Sequence, residues 1–200
     1  MRIEEFLSKV ASEPERTVTE TIWTTPPEVF ARMVKDRMTV KDIQSAPENR
    51  SQPKECRYRH ILGAPASPDA IDAWQRQHPS HPLPADLRAL VARINGIHLW
   101  ADPETGRSYI GFAPIEEWEV ARIKVFGPTE DPSRLDDRYL ALSYDQNGDY
   151  YIVLDVTSGE YSEMDICGSG PTRPVGCTAD ELLDWLWEHR ITPEASPPEE

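Results

Sequence analysis

Residues 83–96, LPADLRALVARING, constrain the fold more than any other stretch of this chain. Leu87, Leu90, Val91 and Ile94 fall at i, i+3, i+4 and i+7, which predicts a helix with one apolar stripe. Pro84 suits the first turn, where the missing N–H costs nothing. Arg88 and Arg93 lie off the stripe, and Arg93 is placed where a cation favours the helix dipole. Asn95-Gly96 supplies the left-handed residue that ends such a helix. A stripe this apolar has to be covered, so the flanking segments must provide a core.

Before it, Ile3, Phe6, Leu7 and Val10 repeat the same spacing and predict a short amphipathic helix. Residues 18–23 alternate and suggest a strand, weakened by their threonines. Thr25, Pro26 and Glu28 form a capping box, followed by a helical face of Val29, Phe30, Met33 and Val34. Residues 41–58 turn polar and read as a linker or irregular loop. Ser67-Pro68 opens another helix with Ile71 and Trp74 on its buried side, and the prolines of HPSHPLP end it.

Past Gly96 the period changes. Residues 98–101 and 108–112 flank the turn sequence DPETG and predict a hairpin. Residues 115–123 read as a short helix and 127–137 as a loop. Residues 139–144 and 150–156 flank Asn147-Gly148, a strong hairpin signal. A further turn at 157–160 leads into a strand at 161–166. A Gly/Pro-rich loop, 168–176, precedes a second capping box at Thr178 and Glu181, and Leu182, Leu183, Trp185 and Leu186 make the buried part of a closing helix. Helices, then hairpins, then a helix is the order of an α+β fold with a twisted antiparallel sheet. The expected organisation is an N-terminal helical extension, 1–60, either packed or semi-independent; an α+β domain, 61–190; and a disordered tail, 191–200.

The net charge is −14, and its placement matters more than its size. Residues 1–60 hold ten acids against eleven bases, a net of +1, whereas residues 61–190 hold 22 against 10, a net of −12. An acidic folded surface repels nucleic acid and favours a basic partner, or it simply keeps the protein in solution. Three widely spaced cysteines do not make a disulfide framework and read as reduced thiols, hence a cytoplasmic protein. The first ten residues carry two glutamates where a signal peptide needs an apolar run, and no stretch approaches a membrane span.

The Leu83-Pro84 helix closing on Asn95-Gly96, the block Tyr109-Ile110-Gly111-Phe112-Ala113-Pro114-Ile115-Glu116-Glu117-Trp118, and residues 140–155 with Asn147-Gly148-Asp149 and Leu154-Asp155 together resemble the SUKH superfamily. This is the Smi/Knr-type domain of fungal cell-wall regulators and bacterial toxin-immunity proteins. The resemblance covers about residues 63–190 and leaves the first 60 uncovered. It implies a single α+β domain that is not an enzyme and binds a partner protein, in bacteria most often a cognate toxin. Nuclease toxins tend to be basic because they hold phosphate, so an acidic inhibitor would be steered to the cationic site and cover it. On this reading the contact residues are Asp102 and Glu104 in the first hairpin turn, Asp145 and Asp149 in the Asn-Gly hairpin, and Glu160, Glu163 and Asp165 around the last strand. No nucleic acid, membrane, metal or cofactor is expected. The alternative is a regulatory or scaffold module with no toxin.

Other chemistry is thinly represented. His78 and His81 form an HxxH, but Pro79 and Pro82 interrupt any helix there and no third ligand stands nearby. Residues 145–149 begin like a calcium loop, but Val156 stands where a bidentate Glu is required. Gly168-Ser169-Gly170 lacks the third glycine and following helix of a dinucleotide fingerprint. Cys167 and Cys177 have no context that lowers a thiol pKa. The adjacent acids Glu116-Glu117 and Asp136-Asp137 read as solvated charge, since neighbours seldom aim together. Trp74 and Trp185 are expected in the core; Trp187 points elsewhere, as a partner anchor or packed on the sheet.

Overall fold

The computed structural model describes residues 1–24, 50–104, 107–126, 135–143, 150–165, 170–190 and 192–193. Among these are five α-helices and nine strands, the strands forming two antiparallel sheets, the α+β class. Helix α1 (Ile3–Ser12) is followed by β1 (Arg16–Thr24) and β2 (Arg50–Leu62), then α2 (Pro68–Gln77), α3 (Ala85–Val91), β3 (Ile97–Asp102) and β4 (Arg107–Phe112). A 3-10 turn (Ile115–Glu117) leads to β5 (Glu119–Val120), α4 (Ala121–Phe126), β6 (Tyr139–Ala141), β7 (Tyr150–Asp155), β8 (Tyr161–Asp165), β9 (Pro171–Gly176) and α5 (Ala179–Glu188). The sheets run β1-β2-β3-β4 and β5-β6-β7-β8-β9. Just past β4 they are tied, where Ala113 N–H donates to Leu142 O at 2.7 Å.

The main core follows from the helical stripes. Phe6 and Val10 of α1, Ile71 and Trp74 of α2, Leu87, Leu90 and Val91 of α3, and Leu182, Leu183 and Leu186 of α5 are buried with Ile97, Leu99, Phe112, Leu140, Ile152, Leu154 and Tyr161 of the sheets. Each such side chain contributes about 1.5–3 kcal/mol on leaving water. The second sheet obeys the two-residue period of a strand. Leu140, Ile152 and Leu154 face the main core, while Tyr139, Ala141 and Val153 face a smaller cluster with Ala121, Leu135 and Met164.

Several expectations change. Residues 50–62, most of them expected as linker, are a 13-residue strand pairing with β1 over nine positions, from Arg16↔Tyr58 to Thr24↔Arg50. The expected boundary at 60/61 therefore falls inside a strand, and residues 50–60 belong to the first sheet. In β2, Cys56 and Tyr58 are buried while Glu55, Arg57 and Arg59 are exposed, an alternation with too few apolar members to stand out. Residues 115–123, expected as one helix, split into a 3-10 turn, a strand and a helix, and 171–176, expected as loop, pair with β8. Helix α3 ends at Val91, and Ile94 is buried beyond it with its N–H on Leu90 O at 2.8 Å. The expected helix at 29–34 with its capping box, the Asn147-Gly148 turn, most of loop 127–137, Cys167, Gly168-Ser169 and most of the tail lie outside the described residues.

Trp100 marks the seam between β2–β3 and the hairpin. Its φ of +53° is the only positive value among the described non-glycine residues, a conformation that costs a bulky residue on the order of 1–3 kcal/mol. The kink buries Leu99 and Trp100 in succession. Leu99 enters the main core, and Trp100 joins Val18, Cys56 and Tyr58 in a separate cluster inside the β1–β2 hairpin.

Candidate functional site

Among the described residues, the candidate acids differ in exposure. Asp102 ends β3 and is 1% exposed. Its Oδ1 accepts the Glu104 N–H at 3.0 Å, and its carboxylate lies against the Cys56 thiol, whose pKa burial and nearby acids push up. Asp102 therefore shapes the turn and does not present charge to a partner in this conformation. Glu104, 70% exposed, stands on that turn 3.7 Å from Lys54 of β2. Glu160 is exposed in the β7–β8 turn, where its carboxylate accepts from Ser158 Oγ at 3.3 Å. Glu163 is 17% exposed and 3.8 Å from Arg173 of β9; Asp165, at the end of β8, is half-buried. Asp145 and Asp149 lie outside the described residues. Among the described candidates, Glu104 and Glu160 are thus the outward-facing members, and they stand on turns of different sheets.

A groove absent from the sequence reading lies where α1, α3 and the start of α5 meet. It holds about 450 Å³ and is walled by Ile3, Ala89, Leu90 and Leu183, with Asp86, Arg93 and Asp180 at its polar parts. The start of α5 is built tightly. Thr178 Oγ1 accepts the Glu181 N–H at 3.2 Å, and Glu181 accepts the N–H groups of Cys177 and Thr178 at 2.7 and 3.0 Å. These bonds to the Glu181 carboxylate, the one from Cys177 foremost, hold its pKa below the usual value. Asp86 Oδ2 accepts the Ala179 N–H at 2.7 Å from across the chain, so α3 caps α5. The capping box was legible in the sequence; the long-range cap from Asp86 was not.

Asn95-Gly96 does more than end a helix. Asn95 is buried, its Oδ1 accepts the Ile115 N–H at 2.7 Å, and its Nδ2 donates to Glu116 at 2.9 Å. Gly96 has φ +107° and packs against Pro114, while its carbonyl accepts the Gly63 N–H at 2.8 Å. The pair therefore ties the later part of the family-like block, Pro114 to Glu116, to the entrance of β3. His78 stacks on Trp74 with ring centroids 4.3 Å apart. His81 is buried with one ring nitrogen 2.6 Å from Asp137 O and the other 3.0 Å from Ser80 Oγ. Both histidines thus serve the loop after α2, and Gln75 completes it by donating to the carbonyls of both.

A charged network holds the N-terminal segment to the closing helix. His60 Nε2 lies 2.9 Å from Glu13 Oε2, Arg190 donates to Glu13 Oε1 at 2.7 Å, and the Trp100 N–H donates to His60 Nδ1 at 3.2 Å. With Nδ1 accepting, Nε2 carries the proton and donates to Glu13, so the imidazole is neutral. Burial pushes the His60 pKa down, and the hydrogen bond to Glu13 opposes this less strongly. Burial raises the Glu13 carboxyl, but bonds from Arg190 and His60 outweigh it and hold the pKa below its usual value. Trp187 packs here, 3.6 Å beneath the Arg190 guanidinium and edge-on to Phe6 at 6.0 Å. Its ring thus packs within the chain against α1, Arg190 and His60 of β2.

The SMI1 / KNR4 family (SUKH-1) matches residues 65–186, which is more than half of the chain. No curated protein matches. No helix among the described residues is long and apolar enough to cross a membrane.

Proposed function

Because the chain belongs to the SMI1 / KNR4 family (SUKH-1), we propose that it is a protein-binding domain without catalytic activity, working as an immunity protein against a basic toxin. The observation that carries this reading is the charge asymmetry. Residues 61–190, which contain the family match, hold a net of −12, whereas the preceding 60 hold +1. Such a surface steers a cationic partner and, once docked, occludes the site that partner needs for its own substrate. Glu104 and Glu160 are its outward contact residues, and Asp145 and Asp149 complete the proposed set.

Co-expression with the adjacent gene product tests the class. Growth rescue plus a co-purifying complex supports immunity; a complex without any toxicity to rescue supports the regulatory or scaffold alternative. The contact residues are tested separately. Reversing Glu104 and Glu160 together to Lys should weaken the complex about tenfold and flatten its salt dependence. Binding indifferent to both salt and these reversals removes the acidic-contact reading.

A further inference from the structure

The strands that end the two sheets differ in how their outer edges are closed. β9 carries Pro171 and Pro174, which lack an N–H, and its pairing with β8 shifts register twice. β5 is two residues long and runs directly into α4. β4 hands on to the second sheet through the Ala113–Leu142 hydrogen bond. β1 has none of these devices among the described residues. Its nine residues, RTVTETIWT, contain no Pro, Gly or Lys, and they pair with β2 in unbroken register. An open row of N–H and C=O groups recruits another strand, which is why edges normally carry such obstacles.

We propose that the outer edge of β1 pairs antiparallel with the same edge of a second copy of this chain, centred on Val18. The two four-stranded sheets then continue into one another across a two-fold axis. The charges select both the occupant and the register. Centred on Val18, Arg16 of each copy stands opposite Glu20 of the other, and Thr17 opposite Thr19, both favourable cross-strand pairs. Centring on Glu20 would overlap all nine residues but set Glu20 against its own copy, and like charges directly opposite oppose pairing. Pro14, with no N–H to give, stops the ribbon at the other end. Thr17 and Thr19 are exposed on one face of β1; on the other, Arg16 is exposed with its guanidinium 5.0 Å from the Trp100 ring centroid, and Glu20 is half-buried. β1 lies outside the family-matched residues, and this dimer does not rest on the toxin-binding reading. The paired block, residues 15–21, is short of the roughly 1,200 Å² of a stable interface, so the dimer is weak and concentration-dependent.

Sedimentation velocity on the full chain across a concentration series at low salt tests this. The expected result is a reversible monomer–dimer equilibrium. Arg16→Glu and Glu20→Arg should each weaken it by about tenfold, since symmetry places two like-charge pairs in every dimer. The double variant Arg16→Glu/Glu20→Arg should recover most of the loss. Thermal unfolding of each variant confirms that the chain remains folded. A monomer at every concentration, a dimer untouched by either reversal, or folded single variants that the double fails to rescue would each overturn the proposal.

Discussion

The β1–β2 hairpin and the segment matched by the family, residues 65–186, are stabilised in different ways. The family segment packs α2, α3, α5 and strands of both sheets on one large core, with a smaller cluster behind the second sheet, whereas the hairpin keeps its own cluster of Val18, Cys56 and Tyr58 around Trp100. Yet the N-terminal segment is no appendage. Phe6 and Val10 of α1 lie in the large core, and Glu13 joins α1 to His60 of β2 and Arg190 beyond α5. The segment outside the family match is thus joined to it by a shared apolar helix and a part-buried polar junction, among other contacts. The apolar contact is insensitive to pH; the polar junction is not.

Leu87→Ala should have the largest effect. Leu87 is fully buried on α3, and its truncation should cost about 3 kcal/mol. Urea unfolding should remain a single transition in which hairpin and family segment are lost together; a separate hairpin transition would break the idea of a shared core. Asn95→Ala should cost about 2 kcal/mol by stranding the Ile115 N–H, with hydrogen exchange accelerating around the 3-10 turn and not in the hairpin.

His60→Gln sharpens the contrast further. It should cost about 1 kcal/mol at neutral pH, and its effect should be confined to exchange of β1, β2 and the end of α5. The pH response distinguishes the junction from ordinary packing. The His60 pKa lies below 6.5 in the folded state, so between the folded value and 6.5 the unfolded chain binds more protons. Stability therefore falls as pH drops through 6.5 and levels off below the folded value. His98, also pushed down by burial, contributes with the same sign. Thermal melts from pH 7.5 to 5 should thus show a loss in the wild type that is smaller in His60→Gln. A second loss is expected further down, as Glu13 and Asp137 are protonated below their usual values of 4.5 and 3.8.

The smallest effect belongs to the exposed pair that also links α1 to the loop after α3. Arg93 donates to Glu4 at 2.6 Å, but both side chains are more than half exposed. Arg93→Ala should shift stability by less than about 0.5 kcal/mol, measurable as an unchanged urea midpoint.

Reading from sequence succeeded where structure is local. The stripes of α1, α3 and α5, the Ser67 cap whose Oγ accepts the Ala70 N–H, and the Thr178–Glu181 box are all decided within four residues of themselves. It failed where pairing comes from far away. β2 carries Pro53 and many charges, and becomes a strand because β1 supplies its hydrogen bonds; β9, with two prolines, does so because β8 does. Among the candidate contact residues, charge was visible but accessibility was not. Asp102 and Glu104 are two apart in one turn, yet one is buried and the other open to solvent.

Composition and periodicity by themselves determined the α+β class, the helix faces and the unequal distribution of charge, since these depend on side-chain chemistry and short-range spacing. The positive φ of Trp100, the cap that Asp86 places on α5 and the neutral His60 held between Glu13 and the Trp100 N–H were decided only by the tertiary structure. Each joins groups distant in the chain, whose interaction has no strength until burial removes the competing water.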